Sequence, residues 1–255
     1  MSLHVERTGS GPDLALLHGW AMHGGIWDDV RARLAQAFTL HVVDLPGHGH
    51  SRDVALVSLA AMAQEVRAAL PDACAVCGWS MGGLVAMRMA LDFPGVVRTA
   101  ILVASTPCLV RRADWEHAME RAVLASFAQR LATDYEKTLM NFLTLQVLGD
   151  PHAKAVLQAL RSGLLARGAP SADALQTGLA ILDASDLRSE VPAIRARTLV
   201  IDGDRDTLAP ASAGAWLAAH IPGARHLPFA HCGHAPFLSY PERFASEVES
   251  FMASP

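Results

Sequence analysis

Short apolar segments that alternate with glycine-rich turns and helical patterns constrain this chain more than any other feature of its 255 residues. Such segments occur at residues 14–17, 40–45, 73–77, 100–104, 198–201 and 225–229. Helical patterns follow some of them, as at residues 59–70 and 81–93, where Pro94 supports a stop. Strands that alternate with helices predict a mainly parallel sheet flanked by helices, with functional residues beyond the carboxyl ends of the strands.

Residues 106–186 interrupt this alternation, because their pattern is helical throughout. Predicted helices cover residues 115–131, 135–148, 153–165 and 172–182. We interpret the segment as an all-helical cap over the carboxyl edge of the sheet, inserted in a core domain of residues 1–105 and 187–255. A second independent domain is the alternative, but a stretch of this length without a strand fits a lid better.

Composition limits the class of protein. The mean hydropathy is +0.24, but 45 alanines contribute to it and no apolar run reaches the ~18 residues that a membrane span needs. The first seven residues hold no apolar signal segment. A net charge of −4 argues against nucleic-acid binding, and four cysteines are too few for a disulfide scaffold. We therefore expect a soluble, cytoplasmic protein.

The run Gly78-Trp-Ser-Met-Gly82 matches the G-x-S-x-G motif and lies between a predicted strand and a predicted helix, as that motif requires. A sharp strand-to-helix turn leaves no room for large side chains beside the serine, which explains the two glycines. The turn exposes the hydroxyl at a helix N-terminus, whose dipole favours negative charge. Ser80 is therefore the candidate nucleophile.

A serine nucleophile needs a base, and the base needs an acid that orients it. In the chain order Ser, acid, His, the candidates are Asp206 and His234, each of which follows a predicted strand. Asp204 is the second choice for the acid, and His231 also lies near the position of the base. Histidines in the turns before the nucleophile are interpreted as structural: His18, His48 and His50.

Two sequence patterns resemble metal-binding motifs, but neither indicates a metal site in this chain. The alternating aspartates of residues 202–206 lack the rest of a calcium loop, since Thr207 and Ala213 stand where its glycine and glutamate belong. Cys74 and Cys77 lie in a predicted buried strand, in which residues three apart point to opposite faces. We expect no metal.

An oxyanion hole requires two backbone N–H donors. Met81, directly after the nucleophile, supplies one of them. The other is expected from the loop after the third strand, at residues 18–20, with the Trp20 amide as the best candidate. The indole rings of Trp20 and Trp79 would then lie at the pocket floor, unless they are ordinary core aromatics.

With these residues assembled, the whole chain resembles the α/β-hydrolase superfamily and, more narrowly, the BioH-type pimeloyl-acyl-carrier-protein methyl ester esterases of biotin synthesis. The runs that carry the resemblance are residues 18–20, 44–51, 78–83, 141–146 and 233–237. The resemblance implies an α/β-hydrolase fold with the cap inserted after the sixth strand. It also implies a monomeric cytoplasmic carboxylesterase that needs no metal and no organic cofactor.

The resemblance further implies a mechanism and a substrate. Ser80 attacks the methyl ester carbonyl of the pimeloyl-carrier ester, with His234 as the base and Asp206 as the acid that orients it, through an acyl-enzyme. The side chains placed along the substrate are Trp20, Met22, Trp79, Phe142 and Gln146.

The implied partner is an acidic acyl-carrier protein, so basic cap residues are expected to contact it. The two lysines of the chain fall where family members carry such contacts. Asn141 and Gln158 stand at two further positions where a basic residue is expected, which shifts the expectation to nearby arginines. The expected contacts are Lys137, Lys154, Arg130 and Arg161.

Three alternatives remain open. A C–C bond hydrolase or lyase of the same superfamily shares the triad but binds small polar dienones or cyclohexadienes. A broad carboxylesterase for short acyl groups is equally compatible with the residues. A hydrolase-fold ligand-binding protein without activity is disfavoured by the intact candidate triad.

Overall fold

The computed structural model describes residues 2–168 and 170–254 of the chain. At its centre is a seven-stranded sheet in the order β1-β3-β2-β4-β5-β6-β7, in which β1 runs antiparallel to β3 and the other neighbours are parallel. The strands are β1 (Val5–Thr8), β2 (Asp13–Leu17), β3 (Thr39–Val43), β4 (Ala75–Trp79), β5 (Thr99–Val103), β6 (Arg197–Gly203) and β7 (Arg225–Phe229).

Helices cover the sheet because its inner strands are apolar on both faces. β3 and β4 are buried at every position, which is typical of parallel strands between two helical layers. None of the helices in the described part of the chain is long and apolar enough to cross a membrane. The helices are α1 (Asp28–Leu34), α2 (Leu59–Ala68), α3 (Met81–Asp92), α4 (Arg121–Thr133), α5 (Tyr135–Gln146), α6 (Ala153–Ala166), α7 (Ala172–Ala184), α8 (Ala211–His220), α9 (Pro236–Ser239) and α10 (Pro241–Ala253).

The mainly parallel sheet confirms the predicted fold class, but the count of strands differs from what the resemblance implied. The helical segment follows the fifth strand rather than the sixth, and residues 18–20 follow the second strand rather than the third. Among the described residues, β1 is the only strand that precedes Asp13. Its Val-Glu-Arg-Thr sequence at the half-buried sheet edge holds no apolar run, so the pattern did not reveal it.

The segment between β5 and β6 contains α4, α5, α6 and α7, as the helical pattern predicts. The predicted start of its first helix at Trp115 is wrong, since α4 begins at Arg121. Residues 108–119 instead form a folded loop with isolated bridges. Trp115 is buried there because its indole N–H donates to the carbonyl oxygen of Cys108 at 2.8 Å and its ring packs edge-on against Trp216 of α8.

A buried ion pair ties the helical segment to the sheet. Arg167, at the end of α6, places Nη1 3.2 Å from both carboxylate oxygens of Asp44, which follows β3 and is fully buried. Asp44 also accepts hydrogen bonds from the amides of Gly24 at 2.6 Å and His50 at 2.8 Å. Burial acts to raise the pKa of Asp44, but the hydrogen bonds from these two amides and the positive charge of Arg167 hold it below its ordinary value.

Two buried histidines hold the loop after β2 in place. The ring of His18 donates through Nδ1 to the carbonyl oxygen of Gly19 at 2.8 Å and accepts the amide of Leu45 at Nε2, 2.9 Å away. His48 similarly pairs Nδ1 with the carbonyl oxygen of Pro46 at 2.9 Å and accepts the amide of Ala21 at 3.3 Å. Each ring donates once and accepts once, so both must be neutral. These contacts agree with the structural interpretation of His18 and His48.

We expect the free energy of unfolding to decrease as the pH falls below ~6.5, the ordinary pKa of histidine. Burial lowers the pKa of His18 and lowers that of His48 to about 4, whereas both rings titrate normally in the unfolded chain. The unfolded state therefore binds more protons in this range, and each ring costs roughly 1 kcal/mol per pH unit. Urea unfolding between pH 8 and pH 5 measures the slope. His48→Gln should reduce it, and a pH-independent stability would contradict the assignment.

Candidate active site

Ser80 lies at the turn between β4 and α3, where the motif predicts it. Its φ of 55° and ψ of −117° are rarely adopted by residues with a Cβ atom, at a cost of about 1–3 kcal/mol. A Cβ at Gly78 would lie 2.2 Å from the carbonyl oxygen of Gly82, and one at Gly82 would lie 2.4 Å from the carbonyl oxygen of Leu17 in β2. Only glycine at these two positions allows α3 to start so close to the sheet.

The structure brings Asp206 and His234 together at the same edge of the sheet. Oδ2 of Asp206 lies 2.7 Å from Nδ1 of His234, and both side chains are buried. The other oxygen, Oδ1, accepts the amides of Leu208 at 2.8 Å and Ala209 at 3.0 Å. Both oxygens are thus engaged, which fixes the ring and leaves Nε2 of His234 as the atom free to exchange a proton.

Ser80 and His234 line one cavity, so the candidate nucleophile and base lie on the same wall. Within residues 2–168 and 170–254 no hydrogen bond joins their side chains. Contacts between a nucleophile and its base are often loose before substrate binds, and tighten in the substrate complex. The arrangement is therefore suited to a serine nucleophile activated by an imidazole that a buried carboxylate orients.

The competing residues have other partners. Asp204 accepts the amide of Cys232 at 3.2 Å, and His231 is exposed to solvent. Asp202 is fully buried in β6, where burial raises its pKa to about 6 and Oδ2 lies 2.7 Å from Nε2 of His226. None of these contacts reaches His234, so the geometry favours Asp206 as its partner.

Backbone contacts from two sides position the His234 loop. The indole N–H of Trp79, at the end of β4, donates to the carbonyl oxygen of His234 at 2.7 Å. The amide of His234 donates to the carbonyl oxygen of Gln146, at the end of α5, at 2.8 Å. The candidate base is therefore held jointly by the sheet and by a helix of the segment between β5 and β6.

Asp150 is a site residue that the sequence analysis missed. This buried carboxylate, in the turn between α5 and α6, accepts the amide of Gly233 at 3.0 Å and the hydroxyl of Ser239 at 2.6 Å through Oδ2. Its Oδ1 accepts the amide of His152 at 2.7 Å, which is an ordinary turn contact. In the sequence, Gly149-Asp-Pro151 is typical of any helix-ending turn, so no signal revealed the long-range contacts.

A cavity lies beside Ser80 and His234, and the space in it, including the part that is open to solvent, is about 750 Å³. Its wall is almost entirely apolar, and Val123 and Leu145, 53% and 42% exposed, also line it. The described lining residues include no charged Asp, Glu, Lys or Arg side chain. They are Trp20, Ser80, Leu84, Ala104, Ser105, Thr106, Leu109, Met119, Val123, Leu124, Phe127, Phe142, Leu145, Leu179, Leu182, Leu208, Ala209 and His234.

Of the side chains expected along the substrate, Trp20 and Phe142 line this cavity and pack edge to face, with ring centroids 5.1 Å apart. Met22, Trp79 and Gln146 do not line it, which corrects the expectation for these three. Met22 and Trp79 are each 1% exposed within the core, where the indole of Trp79 contacts the His234 loop. The amide group of Gln146 is buried without a hydrogen-bond partner in the described structure, and only its backbone contacts His234.

The two amides expected in the oxyanion hole are available. Met81 is the first residue of α3, a position whose N–H has no partner within the helix. Neither its amide nor that of Trp20 donates to an acceptor in the part of the chain that the structure describes. Trp20 is also anchored, because its indole N–H donates to the carbonyl oxygen of Leu175 in α7 at 3.0 Å.

The expected carrier contacts lie apart from the cavity wall. All four are exposed, one on α4, one on α5 and two on α6. They are Arg130, Lys137, Lys154 and Arg161. Among the described residues, no group of three or more His, Cys, Asp or Glu side chains could hold a metal ion.

This chain is similar to known hydrolases in both sequence and structure. The family described as alpha/beta hydrolase fold matches residues 14–241. A pimeloyl-[acyl-carrier protein] methyl ester esterase of Nitrosomonas europaea is 53% identical over 96% of this chain and 97% of its own length. One of Stenotrophomonas maltophilia is 46% identical over 99% of this chain and 97% of its own. In structure, an esterase from Exiguobacterium antarcticum superimposes with a TM-score of 0.86 at 24% identity, covering 99% of this chain and 96% of that protein.

We expect Asp150→Ala to lower kcat for a p-nitrophenyl ester about tenfold, because the His234 loop loses the acceptor that holds Gly233 and Ser239. Asp150→Asn keeps an oxygen at this position and should recover most of the loss. Asp173→Ala, which removes an exposed carboxylate from α7, is the matched control. Steady-state kinetics on variants with confirmed folding decide the question. A kcat for Asp150→Ala equal to that of the control would contradict the proposed contact.

Proposed function

The chain belongs to the alpha/beta hydrolase family, and we propose that it is a serine carboxylesterase that hydrolyses the methyl ester of pimeloyl-acyl-carrier protein in biotin synthesis. The observation that carries this proposal is the buried Asp206–His234 pair beside Ser80, opening on an apolar cavity. The relative from Nitrosomonas europaea, which is 53% identical to this chain over nearly its full length, is named for the same activity.

The geometry supports a two-step mechanism in which His234 moves the protons. Nε2 of His234 removes the hydroxyl proton of Ser80 as Oγ attacks the ester carbonyl, and Asp206 stabilises the imidazolium through Nδ1. The amides of Trp20 and Met81 stabilise the negative oxygen of the tetrahedral intermediate. The C–O bond to the methoxy group then breaks, the proton on His234 passes to the leaving oxygen, and methanol departs.

Water completes the reaction. His234, now neutral, removes a proton from a water molecule, whose oxygen attacks the acyl group on Ser80. Collapse of the second intermediate returns the proton to Ser80 and releases the free carboxylate. An apolar wall solvates this carboxylate poorly, so the cavity accepts the neutral methyl ester better than the charged product.

The cavity wall also favours this substrate over those of the alternatives. A chain of methylene groups buries apolar surface against Leu124, Phe127 and Leu179. A small polar dienone, the substrate class of the C–C bond hydrolases, would leave its oxygens facing the same side chains unpaired. A long acyl chain further allows a bulky carrier to remain outside while the distal ester reaches Ser80.

We assign residues 106–186 the role of a cap that forms the roof of the acyl cavity and the docking surface for the carrier. Four basic residues of this segment form ion pairs with carboxylates: Arg111, Arg112, Arg121 and Arg167. The other four form none in the described structure, and they are the expected carrier contacts: Arg130, Lys137, Lys154 and Arg161. Unpaired exposed cations are the ones able to attract an acidic protein.

Lys154 and Arg161 should attract an acidic partner most strongly of the four. They are seven residues apart on α6, so they lie on the same helix face, and no acidic residue stands between them. Lys137 in contrast lies beside Glu136. In the same proposal the enzyme acts as a monomer in the cytoplasm, with no metal, cofactor or nucleic acid.

The substrate assignment predicts that pimeloyl-carrier methyl ester is cleaved to methanol and the free acid, and that dienone substrates of C–C bond hydrolases are not. Ser80→Ala should abolish the hydrolysis, because the nucleophile is removed. Methanol release measures the reaction in vitro, and growth of a biotin auxotroph that lacks its own methyl ester esterase measures it in the cell. If the protein cleaved short acyl esters but not the carrier-linked ester, and did not restore growth of the auxotroph, it would instead be a broad carboxylesterase.

The docking surface predicts that Lys154→Glu with Arg161→Glu lowers kcat/KM for the carrier-linked ester about tenfold at low salt, with a smaller effect at high salt. A p-nitrophenyl ester should be cleaved at the unchanged rate. The matched control is Arg98→Glu with Arg195→Glu, which reverses two exposed charges at the opposite edge of the sheet. Equal losses in the two double variants would contradict the location of the docking surface.

A further inference from the structure

Two neighbouring strands end in strained backbone beside the cavity. Ser80, after β4, has a φ of 55°, and Ala104, after β5, has a φ of 44°. Residues other than glycine adopt such angles only where surrounding contacts impose them. The contacts around both turns therefore decide where the hydroxyl of Ser80 points.

The peptide groups of these turns are bonded from strand to strand. The amide of Ser80 donates to the carbonyl oxygen of Val103 in β5 at 2.9 Å. The amide of Ala104 donates in turn to the carbonyl oxygen of Ile201 in β6 at 2.7 Å. These bonds fix the backbone where each turn begins, but they do not fix the end of the Ser80 turn, where α3 begins.

A side chain fixes the end of the Ser80 turn. The hydroxyl of Ser105, the residue after the strained Ala104, donates to the carbonyl oxygen of Ser80 at 2.8 Å. The same carbonyl accepts the amides of Gly83 at 2.9 Å and Leu84 at 3.2 Å, which belong to α3 itself. The Ser105 bond is thus the contact that links the carbonyl of Ser80 to the neighbouring strand end.

Gly83 makes room for this bond. A Cβ atom at Gly83 would lie 2.3 Å from Oγ and 2.6 Å from Cβ of Ser105. Ser105 is only 1% exposed, yet it belongs to the cavity wall beside Ser80. Gly83 therefore leaves the space that the Ser105 hydroxyl needs to reach the carbonyl of Ser80, whereas Gly82 allows α3 to approach β2 closely.

We propose that Ser105 is a positioning residue for the nucleophile, which orients Ser80 by holding its carbonyl group. The inference rests on the proposed function, in which Ser80 attacks the ester. Ser105 takes no proton and touches no reacting atom in this role. Its removal changes the direction of Oγ relative to His234 and the oxyanion amides, so it acts on the chemical step rather than on binding.

Ser105→Ala isolates this role, because the carbonyl of Ser80 keeps its two amide donors and no buried group loses its last partner. We expect kcat to fall about tenfold, KM to stay within about twofold, and labelling of Ser80 by a fluorophosphonate to slow by the same factor as kcat. The pH dependence of kcat/KM should keep its apparent pKa, since the base is untouched.

Ser105→Thr and Ser105→Val separate the hydroxyl from packing, since both add the same bulk and only threonine keeps the donor. The Ser105→Thr variant should have a kcat and a labelling rate about tenfold higher than those of Ser105→Val. Thr198→Val is the control: it removes a buried hydroxyl that donates to the carbonyl oxygen of Ala196 at 2.8 Å, at the far end of β6. It should leave both rates unchanged.

The positioning role is overturned if folded Ser105→Ala retains wild-type kcat and labelling rate, or if threonine and valine at this position give equal rates. Ser80→Ala is measured alongside. An inactive Ser80→Ala together with a fully active Ser105→Ala contradicts the positioning role alone, whereas an active Ser80→Ala contradicts the proposed function and this inference with it.

Discussion

The close approach of backbone to backbone around Ser80 is the constraint on which the rest of the structure depends. Gly78 and Gly82 leave no space for a Cβ atom, so the end of β4, the start of α3 and the carbonyl oxygen of Leu17 meet at van der Waals distance. This contact sets where α3 crosses the sheet. It also forces Ser80 into its strained conformation, with its hydroxyl at the edge where parallel strands end. The loops that complete the site converge on that edge.

Helices outside the sheet are part of the site rather than an addition to it. The end of α5 accepts the amide of His234, Asp150 binds the amide of Gly233, and α7 accepts the indole N–H of Trp20. The candidate base and the Trp20 loop are therefore each bonded to the helical segment that lines the cavity. The same segment carries the four basic residues without an ion pair in the described structure, so the proposed docking surface is directly bonded to the loops that hold His234 and Trp20.

Much of the architecture could be predicted from the sequence, because local patterns carry it. Apolar runs identified six strands, and the G-x-S-x-G motif with the order of Asp206 and His234 identified the candidate triad. Elements without a local pattern were missed or misplaced: β1 has no apolar run, and Trp115 lies in a loop because of its contacts with Cys108 and Trp216. Chain order also could not show that the indole of Trp79 faces the His234 loop instead of the cavity.

The sequence by itself determined which residue types could perform ester hydrolysis, since a nucleophilic serine, a base and an acid must be present in a fold that can bring them together. Tertiary structure alone decided which oxygen meets which nitrogen, that Asp150 supports the histidine loop and that Ser105 holds the carbonyl of Ser80. The physical reason is that a hydrogen bond depends on distances of a few tenths of an ångström between residues far apart in the chain. Periodicity and spacing report only the position of a residue within its own helix, strand or turn.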